Sequence, residues 1–363
     1  MKSKLSLPRW SIISPILAWL LYYGKSFEIG GGVYDIILAF ALIGAVLAAV
    51  HHAEVIAHRV GEPLGTLVLA IAITIIEVAL IVSLMLAGGT ETATLARDTV
   101  FAAIMIILTG IIGLCLLVGG ARFQEQKFGK FGVSAALVTL TAISVLTLVL
   151  PNYTTSIHGP VYNTSQLIFV AIISLVLYGT FVMVQTVRHR AYFLPDNIDV
   201  VVSDEIHVDP PSNKVTLAST VLLLVCLAAV VLLAKLLAPT IERMVVELGA
   251  PESLVGVIVA AVILLPEGMA ALRAAKKNRL QISLNLALGS ALASIGLTIP
   301  VVAVVSIMTG LTITLGIDTK STLLLILSLF TVALSFGTGR TTIMQGVVLL
   351  VLFAVYLFTT IVP

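Results

Sequence analysis

The chain has 363 residues, 59% of them hydrophobic and only 10% charged, with a formal net charge of +2 and a mean hydropathy of +1.16. A soluble domain carries about 25% charged residues, so this composition excludes a soluble enzyme and points to a polytopic membrane protein. The basic residues are scattered over loops and form no nucleic-acid patch.

Eleven apolar runs reach or approach the roughly 20 residues that a membrane-spanning helix needs. In chain order they cover 9–23, 33–53, 64–87, 99–120, 132–150, 166–187, 215–238, 254–273, 281–308, 321–337 and 343–362. Backbone polar groups in lipid must be bonded within their own segment, so each run is read as a helix. The expected fold class is an all-α integral membrane protein of about 11 transmembrane helices. In the first run, Trp10–Tyr23 lacks a small-residue cleavage site and reads as a span, not a cleavable signal. Cys115 and Cys226 lie inside apolar runs, so neither a disulfide framework nor a zinc site is implied.

Lys and Arg set the expected orientation. With the N-terminus inside, the inner segments hold fifteen of the 20 basic residues and the outer segments hold four, Lys25, Arg97, Arg243 and Lys320. Lys235 lies near the outer end of the seventh span. That bias places the N-terminus in the cytoplasm and, after eleven spans, the C-terminus outside. A bacterial inner (plasma) membrane fits this pattern.

The longest break in hydrophobicity, 188–214, contains Asp196, Asp199, Asp204, Glu205 and Asp209, with His207 and the pair Pro210–Pro211. It reads as an acidic cytoplasmic linker, either a cation-collecting segment or a solvated connector. The linker divides the chain into an N-terminal span at 1–31, a first repeat at 32–187 (spans 2–6) and a second repeat at 215–363 (spans 7–11). The halves echo one another weakly. Glu54 is followed by seven residues and Gly61, and Glu242 by seven residues and Gly249. Glu62 precedes Glu77 by 15 residues, and Glu252 precedes Glu267 by 15. Each of these stretches leads into a helix of small residues, with Thr109, Gly110 and Gly113 in one and Gly289, Ser290, Ser294 and Gly296 in the other. Span 3 runs outward and span 8 inward, so the five-helix repeats are expected to be inverted, as in transporters.

Glu77 is the only charged residue in Leu64–Ala87, and Glu267 the only one in Leu254–Leu272. A carboxylate at mid-bilayer costs about 2.5–3.5 kcal/mol on insertion scales. Gly65 to Glu77 is 12 residues, about 18 Å of helix, a little past half of a roughly 30 Å core. Glu267 reaches a similar depth from the other face, so both carboxylates are expected near the midplane. Such a pair suits a pathway for a metal ion or a proton. A structural polar bridge between helices is the alternative.

These residues resemble the calcium/cation antiporter superfamily, in its cation/proton exchanger branch and bacterial ChaA-type members. HAEVIAHRVGEPLG at 52–65 resembles the entry to that family's first alpha repeat, and GTLVLAIAITIIE at 65–77 matches its first Gly and final Glu. VGVIVAAVILLPEGMAAL at 255–272 resembles the second repeat, and GSALASIGLTIP at 289–300 the family's GSSTQIALFVIP. LYGTFVMVQTVRH at 177–189 and GRTTIMQG at 339–346 are similar to late segments of the two halves. The resemblance implies an antiporter in which Glu77 and Glu267 hold the transported cation, which is calcium or sodium/potassium, in exchange for protons. The chain departs from the pattern before each glutamate, where the family's Gly-Asn-Ala is absent. A family Gln falls on Ala293, and an Asn of the first repeat falls on Gly113. Calcium takes 6–8 oxygen ligands, so this thinner amide shell leaves monovalent ions equally suited.

Thr74, Thr109, Ser290 and Ser294 are candidate neutral oxygen ligands, with helix packing as the other role for small polar residues. Asn285, about one turn before Gly289, is a further candidate. Pro266 and Pro300 would kink their helices or free carbonyls for coordination. Glu62 and Glu252 stand at helix starts, where acidic residues favour the dipole or capture ions. His51, His52 and His58 lie at the inner end of span 2, where histidines can sense pH. HHAEVIAH contains no HExxH, and no GxxxxGK[ST] string occurs anywhere.

The expected function is therefore secondary antiport and not enzymatic. Proton and cation compete for Glu77 and Glu267, because burial favours the neutral acid and a bound cation favours the carboxylate. Rocking between the repeats alternates access, driven by the proton gradient. No cofactor is expected, and the partners are inorganic cations, protons and membrane lipid, with homo-oligomerisation left open. A cation channel and, further off, an intramembrane enzyme are the alternatives.

Overall fold

Long unbroken apolar stretches with few helix breakers give eleven long helices among the residues that the computed structural model describes. It describes residues 7–25, 32–61, 64–194, 211–247, 251 and 253–362. The helices are α1 (Arg9–Lys25), α2 (Gly32–Val60), α3 (Leu64–Gly88), α4 (Leu95–Phe123), α5 (Lys130–Tyr153), α6 (Thr164–Arg188), α7 (Asn213–Glu247), α8 (Ser253–Lys276), α9 (Leu280–Thr309), α10 (Thr319–Phe336) and α11 (Ile343–Ile361). Among the described residues nine are long and apolar enough to cross a membrane. The other two are α1, with 17 residues, and α3, whose described apolar stretch is Ile71–Leu86. The protein is an all-α membrane protein, as its composition requires. Glu62, Glu252, Gly249 and the acidic residues of the linker lie outside the described residues, as does the side chain of Glu242.

Three helices change character partway. α4 is π-helical over Ile106–Ile111, α5 over Val145–Val149 and α6 over Val184–Arg188. The two prolines act differently from a break: α8 runs through Pro266 and α9 through Pro300 as continuous helices. Each ring lacks an N–H, so each helix loses one ladder bond without ending there.

The chain forms two compact units. One comprises residues 1–87 and 199–248, the other 88–198 and 249–363. In the first, α1, α2 and α7 pack side by side. Trp19 Nε1 donates to the Val225 carbonyl at 3.2 Å, and His52 Nε2 lies 3.0 Å from the Ser11 carbonyl. Asp35 accepts from Lys25 at 2.8 Å and from Thr240 at 3.1 Å, tying α2 to α7.

In the second unit α4 and α9 are the most buried helices. Glycine lets α4 meet α11 backbone to backbone. A Cβ at Gly346 would fall 2.4 Å from the Leu117 nitrogen, and one at Gly120 would fall 2.5 Å from the Ile343 nitrogen. Small residues allow such close approach in membranes, where dispersion and not hydrophobicity drives helix association.

The loops of this unit gather at two ends. At one end, β1 (Gln126–Lys127) pairs antiparallel with β2 (Arg340–Thr341). There Gln126 Nε2 donates to the Ala275 carbonyl and Asn278, and the Gly129 N–H donates to Gln281 Oε1 at 2.6 Å. At the other end, the extended segment after α9 is held by three elements. The Thr314 N–H reaches the Ala93 carbonyl, the Gly316 N–H the Pro160 carbonyl and the Ile317 N–H the Leu148 carbonyl, all at 2.9–3.0 Å. Alternate loops thus share an end, which is the up-and-down threading that the hydrophobic runs require. The loops holding Arg122, Lys127, Arg279 and Arg340 fall together, apart from those holding Arg97 and Lys320.

Candidate cation site

In the second unit Glu267 stands on α8. Ile263, Leu264 and Ala271, three or four residues from it, and Ala260, seven residues from it, are buried, while Ile258, Leu265 and Met269 face outward. Helical periodicity therefore turns Glu267 toward protein and away from lipid. Its carboxylate is half-buried and Oε2 accepts a hydrogen bond from Ser290 Oγ of α9. A hydroxyl that donates to a carboxylate orients it and keeps its own lone pairs open, so the pair can present adjacent oxygens to a cation. Ser294, one turn further along α9, is 1% exposed.

α8 packs against the π-helical part of α4. A Cβ at Gly268 would fall 3.1 Å from Ile111 Cδ1, so the turn carrying Glu267 rests on that segment. Thr109 lies inside it, fully buried, with its hydroxyl donating to the Met105 carbonyl at 2.5 Å.

In the first unit Glu77 stands on α3 and is 4% exposed, as is Thr74 three residues before it. They belong to a buried stripe with Ile73, Ile76, Leu80, Ile81 and Leu84, opposite the exposed Ile71, Ile75 and Leu86. Residues three and four apart share a helix face, so Glu77 and Thr74 face the protein interior. Glu77 and Glu267 belong to different units.

Asn285 is engaged elsewhere. Its Nδ2 donates to the Phe193 carbonyl at 2.6 Å, and its Oδ1 accepts from Gln281 Nε2 at 2.9 Å. It clips the start of α9 to the short 3₁₀ turn Arg190–Phe193. Gly113 is closely packed against α11. A Cβ there would lie 3.1 Å from the Leu350 nitrogen. Ala293 is 2% exposed within the packed body of α9.

The sequence pointed to none of Gln126, Gln281, Thr147 or Thr186. The polar residues Gln126 and Gln281 beside apolar runs were the available signal for the loop clasp. Among the described residues no three His, Cys, Asp or Glu side chains gather as a metal cluster. A cavity of about 200 Å³, lined by Arg97, Asp98, Asp318, Lys320 and Tyr356, does not include Glu267.

Comparison with known proteins agrees with this architecture. The family model described as sodium/calcium exchanger protein matches residues 32–187 and 218–362. A protein of Sinorhizobium fredii named putative ionic transporter y4hA is 46% identical over the whole of both chains. The sodium-potassium/proton antiporter ChaA of Escherichia coli is 37% identical over 96% of this chain and 95% of its own. Among solved structures, native YfkE superposes with a TM-score of 0.73 at 18% identity, covering 98% of this chain and all of that one. The H+/Ca2+ exchanger CAX gives a TM-score of 0.72 at 14% identity, covering 96% and 87%. These two likenesses establish the fold, and the family match over most of the length establishes the lineage. The chain belongs to the sodium/calcium exchanger family, as a membrane antiporter and not an enzyme.

Proposed function

We propose that the protein exports calcium, sodium or potassium from the cytoplasm in exchange for protons, by alternating access at a site built on Glu77 and Glu267. The observation that carries this reading is the placement of both glutamates on protein-facing helix stripes, with Ser290 donating to Glu267. An acid buried among apolar residues binds a proton readily, and the same group as a carboxylate binds a cation. Two carboxylates are neutralised by one divalent cation, by two protons, or by a monovalent ion with one proton. Proton and cation therefore exclude one another, which is the chemistry of exchange.

Ser290, Ser294 and Thr74 are the neutral oxygens that complete the proposed shell, whereas the Thr109 hydroxyl is given to the Met105 carbonyl. Asn285 is a weaker candidate, because its Oδ1 already accepts from Gln281 and its Nδ2 is held by the Phe193 carbonyl. The basic loops that share one end of the second unit favour placing that end, and the N-terminus, in the cytoplasm of a bacterial inner membrane. The repeat boundaries at 32–187 and 215–363 remain the proposed division.

The Escherichia coli relative is named a sodium-potassium/proton antiporter, whereas one from Bacillus subtilis is named a Ca(2+)/H(+) antiporter. With glycine and alanine at 113 and 293, a site poor in amides is expected to accept both kinds of ion. Everted vesicles with a pH dye test this, challenged with calcium, sodium and potassium singly and in pairs. Calcium and at least one monovalent ion should each release protons, and each should inhibit the other. Calcium-driven release untouched by a large excess of sodium and potassium would overturn the shared site. Cation flux without proton counterflow would favour a channel.

A further inference from the structure

Three π-helical segments interrupt α4, α5 and α6, and each contains a threonine that bonds back to the carbonyl four residues before it. Thr109 donates to Met105 at 2.5 Å, Thr147 to Ile143 at 2.8 Å and Thr186 to Val182 at 2.7 Å. Among the described residues, α8 to α11 carry no such segment. In a π turn each N–H pairs five residues back, as Ile112 does with the Ile107 carbonyl. Where the ladder changes from four to five, the two registers disagree by one residue. A hydroxyl on the carbonyl four back adds a donor at that junction. The same bond occurs in ordinary helix, at Thr139 and Ser174, where it does little more than bend it. The bond alone does not make a π turn; its place at the register change is what matters.

Among the described residues, the α4 segment packs against the Glu267 helix. Ile111 meets α8 at Gly268, directly after Glu267. A slip from π to α pairing would turn the helix by about 100° per residue and carry Ile111 off that contact. The Glu267 turn would lose its support, and with it the alignment to Ser290.

We propose that Thr109 is a positioning residue, whose hydroxyl fixes the π turn of α4 on which the Glu267 turn of α8 is seated. This rests on the reading of Glu267 as an exchange carboxylate. It differs from a ligand role for Thr109 because it acts on the backbone before any cation arrives.

The test compares wild type with Thr109→Val and Thr109→Ser in proteoliposomes. Two quantities are read: the cation concentration giving half-maximal proton release, and amide hydrogen exchange across Ile106–Ile112 without transported cation. Thr109→Val should raise the half-saturating concentration at least tenfold and speed cation-free exchange at least fivefold. Thr109→Ser should restore both to within twofold. If Thr109→Val is poorly folded, Thr109→Ala takes its place with the same expectations. Weakened transport with unchanged cation-free exchange would make Thr109 a ligand and overturn the proposal. Unchanged transport would overturn it as well. Should wild type release no protons with any of the three cations, the functional reading fails instead. The exchange comparison alone then decides whether Thr109 holds the π turn.

Discussion

At the scale of single residues, the proposed chemistry rests most on the contact of Ser290 to Glu267. A hydrogen bond to a charged group contributes about 1.5–3 kcal/mol, and 1.4 kcal/mol is tenfold in affinity. Ser290→Ala should therefore weaken apparent cation affinity about tenfold or more while the protein still inserts. Ser290→Thr should retain most of it. Dose–response curves for cation-driven proton release at fixed pH check this, and an unchanged half-saturation in the alanine variant would remove Ser290 from the site. Glu77, Glu267 and Ser290 were legible in sequence because a polar group in a long apolar run stands out against its surroundings. Asn285 was equally visible, but its partner Phe193 was not. A long-range clip between a helix start and a distant 3₁₀ turn leaves no local pattern. Gly113 is packed closely against α11, and Ala293 is buried on α9.

Whole elements were easier to read than their ends. The apolar run at 132–150 became the helix Lys130–Tyr153, and that at 343–362 became Ile343–Ile361. The runs at 33–53 and 215–238 became helices that continue to Val60 and Glu247. Hydrophobicity marks where a helix meets lipid, whereas stretches such as HHAEVIAHRV stay helical on propensity beyond it. The π segments could not be read at all: IILTGI at 106–111 has the composition of the α-helix around it. Helix packing gives a sharper test at this scale. A side chain at Gly346 must push α11 off α4, because a Cβ would lie 2.4 Å from backbone. Gly346→Val should cost about 1–3 kcal/mol, the usual range for overpacking, and lower the melting temperature in detergent. Gly179→Ala, with nothing within 4 Å of the added carbon, should not lower it, since alanine favours a helix interior over glycine. Equal melting temperatures for wild type and Gly346→Val would contradict the close α4–α11 contact.

For the molecule as a whole, the sequence carried the fold class, the number of long helices and the alternation of loops. All three follow from the constraint that lipid imposes on a backbone. The division into compact units did not follow from it. α3 and α7 cluster with α1 and α2, and α8 clusters with α4, so the contact units cut across the linear repeats. That grouping depends on side-chain packing between helices far apart in sequence, which hydropathy does not report. It also puts Glu77 in one unit and Glu267 in the other.

The most direct test replaces each glutamate in turn. Gln keeps the shape and removes the titratable group. Glu77→Gln and Glu267→Gln, reconstituted at wild-type levels, are each measured for cation-driven proton release over a range of pH. Each variant should lose at least 95% of the wild-type rate at every pH, about 1.8 kcal/mol or more of lost function. If either variant exchanges at a near wild-type rate across that range, its glutamate is not a shared cation and proton site.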